Sequence, residues 1–207
     1  MTLWHWLFPL VGYLLGSLAF AVWLPRCVAG VDIRTSGSGH AGATNTMRHI
    51  GWGWGLVVFA LDVLKGYVAV AVAQAAGAGP LIVALTAAAA VAGHIWPVFA
   101  GFRGGMGNAP TFGALLAVSP LGALLAVGWL IAWVLLLHHT ARGNALAAAT
   151  AWALFWAVGL TGAPLAVAIA LAPVVTLRFA QDWQRQYREL WLDRPAREPD
   201  EGRTPPS

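Results

Sequence analysis

The sequence predicts an all-α integral membrane protein of about seven transmembrane helices, N-terminus outside and C-terminus cytoplasmic. Three observations predict it. Of 207 residues, 59% are hydrophobic and only 10% charged, with a mean hydropathy of +0.69. The charges are segregated. Residues 1–177 carry eight (Arg26, Asp32, Arg34, Arg48, Asp62, Lys65, Arg103 and Arg142), and the remaining thirty residues carry the other twelve. Eight charges cannot cover a water-soluble fold of that size. Finally, the apolar runs approach the roughly 20 residues that a bilayer span requires.

Polar breaks and Gly/Pro punctuation place helices near residues 3–24, 52–73, 80–100, 107–119, 121–138, 144–160 and 163–181. The fourth is short enough to tilt, thin the bilayer or re-enter it. Its separation from the fifth rests on Ser119, Pro120 and Gly122, so five or six crossings are the alternatives to seven. The breaks bearing Arg26, Arg34 and Arg48, then Arg103, then Arg142, alternate with breaks that carry no Lys or Arg. Basic loops face the cytoplasm, which fixes the expected orientation and an odd number of crossings. Trp4, Trp6, Trp23, Trp52, Trp54, Trp96 and Trp183 lie near helix ends, where indoles settle at the headgroup level. Residues 1–191 read as one polytopic domain. Residues 192–207 are charged and Pro-rich, and are expected to be disordered.

Other classes are set aside on the same grounds. The net charge of +4 reflects membrane-boundary arginines, so no nucleic-acid partner is expected. The single cysteine, Cys27, excludes an intramolecular disulfide, a Cys-rich zinc site and an iron–sulfur cluster. No metal and no cofactor is expected. Residues 1–10 lack a basic lead-in, so no cleaved signal is expected either.

The chemistry is expected in loop 25–51. From Thr35 to Asn45 nearly every residue is Gly, small or hydroxylated, and Arg34 and Arg48 flank the stretch. Glycines let backbone N–H groups approach an oxyanion closely, and guanidinium forks match phosphate. A flexible linker is the plain alternative. A second Gly-rich stretch, Gly101–Asn108, carries Arg103 and follows His94 at the end of the third helix. It suits an anion at a helix N-terminus, and the two loops share a membrane face. Asp62 and Lys65, three residues apart on the second helix, can pair. Intramembrane charges are either functional or a buried lock between helices.

These motifs resemble the bacterial acyl-phosphate:glycerol-3-phosphate acyltransferases of the PlsY type. The resemblance runs from Gly16 to about Trp191. It rests on Asp32-Ile33-Arg34-Thr35-Ser36-Gly37-Ser38-Gly39, Gly42-Ala43-Thr44-Asn45, Arg48, Asp62-Val63-Leu64-Lys65-Gly66 and Gly93-His94-Ile95-Trp96-Pro97-Val98-Phe99. It implies a seven-helix protein of the bacterial cell membrane. A cytoplasmic pocket would move an acyl group from acyl phosphate to glycerol 3-phosphate, giving 1-acylglycerol 3-phosphate and phosphate for phospholipid synthesis. The partners are then these two substrates and membrane lipids. Ser38 and Arg48 match positions that contact substrate phosphate. Ser36, Thr44 and Arg103 join that set, with Asp62, Lys65 and Arg142 in support.

The chain departs from the family pattern at His40, where Asn is usual, and at Met106, where a second Lys is usual. It also differs across His138–Asn144, and at Phe179 and Asp182 in place of His and Asn. Acyl phosphate is already activated, so catalysis reduces to holding two anions together and stabilising the developing charge. Proton removal falls to His40, His94 or a substrate phosphate oxygen, with Asn45 beside them as a further catalytic candidate. A diverged homologue with another substrate, and a small-anion or lipid transporter, are the alternatives. A transporter calls for an internal repeat, and the sequence offers none.

Overall fold

The structure, a computed structural model, describes residues 3–185. The expected disordered tail and the domain boundary at 191 lie outside them. The described residues fold into helices α1 (Leu7–Gly16), α2 (Phe20–Ala29), α3 (Ala43–His49), α4 (Trp52–Ala75), α5 (Pro80–Ile95), α6 (Asn108–Val118), α7 (Pro120–Leu137), α8 (Thr140–Ala157) and α9 (Ala163–Ala180). Short 3-10 turns span Leu3–Trp6, Ile33–Thr35 and Val98–Ala100. Among the described residues, five segments are long and apolar enough to cross a membrane: Leu3–Ala29, Trp52–Ala75, Pro80–Ala100, Pro120–Leu137 and Ala163–Ala180.

Helix α5 is the hub, packed against α1, α4 and α9. Its most apolar stretch is 61% buried, against 17% for α7. The difference follows from side-chain size. The α5 faces are Ala84, Ala87, Ala90 and Val91, all buried, and small residues let helices approach where hydrophobic force between them is absent. Gly16 of α1 sits on the Ala90 carbonyl of α5, and Gly66 and Gly113 seat α4 and α6 on each other's backbones. Leu121, Leu124, Ile131 and Leu136 of α7 instead point outward, exposed, as suits a lipid-facing surface.

The structure corrects three sequence-based boundaries. The continuous helix expected over residues 3–24 breaks at Ser17–Ala19, with Ala19 at φ −91° and ψ 60°. A break at membrane depth requires replacement partners for the freed backbone. Lys65 Nζ provides one, donating to the Leu18 carbonyl at 2.9 Å. The expected loop 25–51 is largely ordered: α2 runs on to Ala29, and α3 rises from Gly42 with Arg48 in its last turn. The helix expected at 144 starts at Thr140, because the His139 Nδ1 accepts from the Arg142 N–H at 3.4 Å and caps it.

Candidate active site

The polar segments between the helices converge at one end of the bundle, and backbone hydrogen bonds stitch them together. Asp32 accepts from the Arg34 N–H (3.1 Å), its Nε (3.0 Å) and its Nη2 (2.9 Å), and from Arg26 (2.6 Å). The Arg34 guanidinium beside it holds the Asp32 carboxyl well below the usual carboxylate range, and Asp32 in turn raises Arg34. Arg34 also donates to the Ala100 carbonyl at 2.8 Å and the Arg103 carbonyl at 3.3 Å. Its fork therefore clamps the first loop to the second, and its charge is offset by Asp32. The Ala41 N–H donates to the Gly104 carbonyl at 3.3 Å, closing the same seam.

The Gly-rich turn after α5 works differently from a free anion nest. The N–H groups of Gly104 and Gly105 donate to the Ile95 and His94 carbonyls at 3.1 and 3.2 Å. A Cβ on Gly105 would run into the His94 ring and the Ala41 carbonyl. Glycine here permits close packing of the two loops over His94. The donors left for a ligand come after the turn, where Met106, Gly107 and Asn108 lead into α6 and line a cavity.

That cavity, about 260 Å³, is the candidate site. Ser38, His40, Thr44, Asn45, Arg48, Asp62 and His94 all line it, which brings together seven residues singled out from sequence. The N-terminal turns of α6 and α8 enter the same space through Asn108 and Thr140. Positive helix ends, hydroxyls and an arginine around one cavity make an anion-binding environment. Beneath it lie Asp62 and Lys65, 2% and 5% exposed. Lys65 Nζ is 2.8 Å from Asp62 Oδ1, and His94 Nδ1 is 3.5 Å from the same oxygen.

Several sequence-derived residues have other positions. Ser36 is not among the lining residues; its carbonyl accepts from Asn45 Nδ2 at 3.0 Å. Asn45 Nδ2 also lies 3.0 Å from the Ile33 carbonyl and 3.1 Å from that of His40, so this amide gathers the loop around itself. Arg103 is exposed and outside the lining. Arg142 is exposed too, with Nε donating to the Trp183 carbonyl at 3.2 Å and the guanidinium 5.6 Å over the Trp183 ring. It holds the chain leaving α9.

Sequence reasoning missed the pair that bounds the cavity. Asn108 Nδ2 donates to Asn144 Oδ1 at 2.7 Å, and Asn144 Nδ2 to the Thr140 carbonyl at 2.8 Å. Both lie at the very starts of helices placed from sequence at 107–119 and 144–160, and an Asn in the first turn of two separate apolar helices was the available signal. The pair also lines a second, apolar cavity of about 90 Å³ among α6, α7, α8 and α9, walled by Leu115, Leu130, Leu171 and several alanines. Phe179 closes the polar cavity from α9. Among the described residues no three His, Cys, Asp or Glu side chains group as a metal site.

A family model described as "Glycerol-3-phosphate acyltransferase" matches residues 6–189. The chain is 46% identical over 147 residues to "Glycerol-3-phosphate acyltransferase 2" of Moorella thermoacetica, covering 70% of this chain and 75% of the relative. It is 38% identical over 188 residues to the "Glycerol-3-phosphate acyltransferase" of Shigella flexneri, covering 88% and 90%. Among solved structures, the glycerol 3-phosphate form of PlsY, described as an integral membrane glycerol 3-phosphate acyltransferase, superposes with a TM-score of 0.76 at 32% identity. The match covers 87% of this chain and 90% of that one. Its lysophosphatidic acid form gives 0.71 at 30%.

Proposed function

We infer the function from one premise: this chain belongs to the glycerol-3-phosphate acyltransferase family. It is an integral membrane enzyme that acylates glycerol 3-phosphate in phospholipid synthesis. The donor we assign is an acyl phosphate, and the product 1-acylglycerol 3-phosphate with release of phosphate. One observation carries this reading. The polar, cation-bearing cavity and the apolar cavity share the Asn108–Asn144 pair as a common wall. A molecule with a phosphate at one end and a hydrocarbon chain at the other fits across such a wall, with its reactive carbonyl at the amides.

On this reading Ser38, Thr44 and Arg48, with the N-terminal ends of α6 and α8, bind the two phosphates. Fixed donors of this kind stabilise charge that develops on the carbonyl oxygen and the departing phosphate. Holding both anions in one cavity supplies proximity, the larger part of what an activated donor needs. His94, against Asp62 and Lys65, forms the rigid floor, and Asn45 keeps the phosphate loop in shape. Neither a protein nucleophile nor a metal is called for. The test is direct: the purified protein releases phosphate from acyl phosphate only when glycerol 3-phosphate is present, and acylglycerol phosphate appears in equal amount. Release that ignores glycerol 3-phosphate refutes the acceptor assignment.

The membrane arrangement that accompanies this has seven crossings in a bacterial cell membrane: the broken α1–α2 span, then α4 to α9. The site end faces the cytoplasm and the N-terminus lies outside. Its support is the clustering of Arg26, Arg34, Arg48, Arg103, Arg142 and Arg178 at the end where the site forms. In a Cys27→Ser background, Ala75→Cys and Thr161→Cys label with impermeant reagents from outside. Outside labelling of Ser36→Cys reverses the topology.

A further inference from the structure

Past the end of α9 the chain turns back over the cavity end. Successive turns fix it there: the Asp182, Trp183 and Arg185 N–H groups donate to the Phe179, Ala180 and Asp182 carbonyls at 3.1, 3.2 and 2.9 Å. From that position it reaches all three polar segments. Arg185 Nη2 donates to the Ser38 carbonyl at 2.7 Å, and Asp182 Oδ2 lies 3.2 Å from His40 Nε2. The Trp183 carbonyl accepts from Arg142 Nε at 3.2 Å. Behind them Arg178, buried in the last turn of α9, donates through Nε to the Gly105 carbonyl at 3.4 Å. Its Nη1 stands 3.8 Å from Asp182 Oδ1.

Two of these contacts fall where the first loop has least stiffness of its own. Gly37 and Gly39, on either side of Ser38, hold φ of +54° and +70°. Glycine adopts such angles without strain but loses the most conformational freedom on being ordered. Ser38 is therefore carried on a two-glycine hinge. Its peptide link to Gly39 is pinned on one side by the Gly39 N–H, which donates to the Ser36 carbonyl at 3.0 Å, and on the other by Arg185. Two residues on, the His40 ring is 14% exposed and faces Asp182. Burial and the Arg178 guanidinium push His40 down to about 4, against the opposing pull of Asp182. The ring is neutral at pH 7, and its Nε2–H donates to the carboxylate as a plain hydrogen bond.

Ser38 and His40 line the polar cavity and do not border the apolar one. An acyl donor lying across the Asn108–Asn144 wall leaves the Ser38 side to the water-soluble acceptor. We propose that Asp182 and Arg185 are positioning residues that set the affinity for glycerol 3-phosphate, holding the Ser38–His40 arc against the acceptor's phosphate. This rests on the acyl-transfer reading above. An arc already held in place binds without a fresh ordering cost, whereas a released one meets that cost at each binding event. The difference appears in KM, because the reacting groups are unaltered once both substrates are bound. Arg178 and Arg185 also outweigh Asp182, which adds positive charge behind the arc and suits an anionic acceptor.

The test is steady-state kinetics of the full chain in lipid nanodiscs, varying each substrate with the other near saturation. Arg185→Ala is expected to raise the KM for glycerol 3-phosphate about three- to tenfold, as for one hydrogen bond lost. The KM for acyl phosphate, kcat and Tm stay close to wild type. Arg185→Lys, which can still donate to the Ser38 carbonyl, returns KM to within about twofold of wild type. Asp182→Ala raises the same KM, and the double variant rises by less than the product of the two, because both residues hold one arc. Unchanged KM in both single variants overturns the proposal. So does a loss of kcat or Tm without a rise in KM, which marks a purely structural clip. A rise confined to the KM for acyl phosphate gives the arc to the donor and overturns it as well. A wild-type chain that forms no acylglycerol phosphate overturns the acyl-transfer reading and the acceptor role with it.

Discussion

Replacing Lys65 with methionine removes a buried cation while nearly preserving side-chain volume. Its Nζ lies 2.8 Å from Asp62 Oδ1 and 2.9 Å from the Leu18 carbonyl, with the Phe20 ring 5.8 Å away. Removing one partner of a buried ion pair typically costs about 3–5 kcal/mol, because the other charge is left uncompensated. The Leu18 carbonyl, freed by the break between α1 and α2, loses a charged hydrogen bond as well. His94, 3.5 Å from Asp62 Oδ1, can take up a proton and return part of this. The expected net loss is about 2–4 kcal/mol, or roughly 5–15 °C in Tm for a chain of this size. Thermal unfolding in one defined detergent measures it. The double variant Asp62→Asn with Lys65→Met, which leaves no lone charge, is expected to recover at least half of the loss. A Lys65→Met protein as stable as the parent refutes the idea that this pair holds the broken helix.

Three further outcomes are expected. Arg48→Ala, at the cavity wall, costs about 2–4 kcal/mol in kcat/KM, and Arg48→Lys restores only part, since a fork becomes a point charge; steady-state kinetics on folded protein decide it. Met106→Lys places a cation in the lining and lowers the KM for glycerol 3-phosphate by up to about tenfold, equivalent to about 1.4 kcal/mol. Lower activity instead shows that Arg178, bonded to the adjacent Gly105 carbonyl, already fills that electrostatic role. Asn45→Asp sets a carboxylate against the Ile33, Ser36 and His40 carbonyls and removes their donor. Activity falls by at least tenfold and protease susceptibility of the 34–51 segment rises, whereas intact loop protection contradicts the clamp.

The sequence by itself determined the class of protein and singled out segments that meet at one cavity. Sparse charge and long apolar runs leave the bilayer as the solvent, and backbone hydrogen bonding then demands helices. The Gly/Ser/Thr stretch around Ser38 and the segment after His94 were legible as neighbours, and both supply residues to one cavity. Individual duties were not legible in the same way. Arg34 and Arg48 flank one loop identically in sequence, yet Asp32 and two carbonyls occupy Arg34, while Arg48 lines the cavity. Arg103 looked like a ligand for phosphate and is exposed outside that lining.

The tertiary structure decided the contacts between residues far apart in the chain. Asp182 meets His40 across 142 positions only because α9 ends beside the first loop. Asn108 meets Asn144 because α6 and α8 start at the same end of the bundle. The break at Ser17–Ala19 follows Gly16, one of 24 glycines and so a weak signal by itself; what sustains it is Lys65, on another helix, which takes up the Leu18 carbonyl. Local composition fixes the solvent and the kind of chemistry a segment can do, but a hydrogen bond or ion pair depends on where a distant partner is placed. That placement belongs to helix packing, which here turns on glycines and alanines whose interchangeable apolar character in the sequence conceals the few positions where backbones touch.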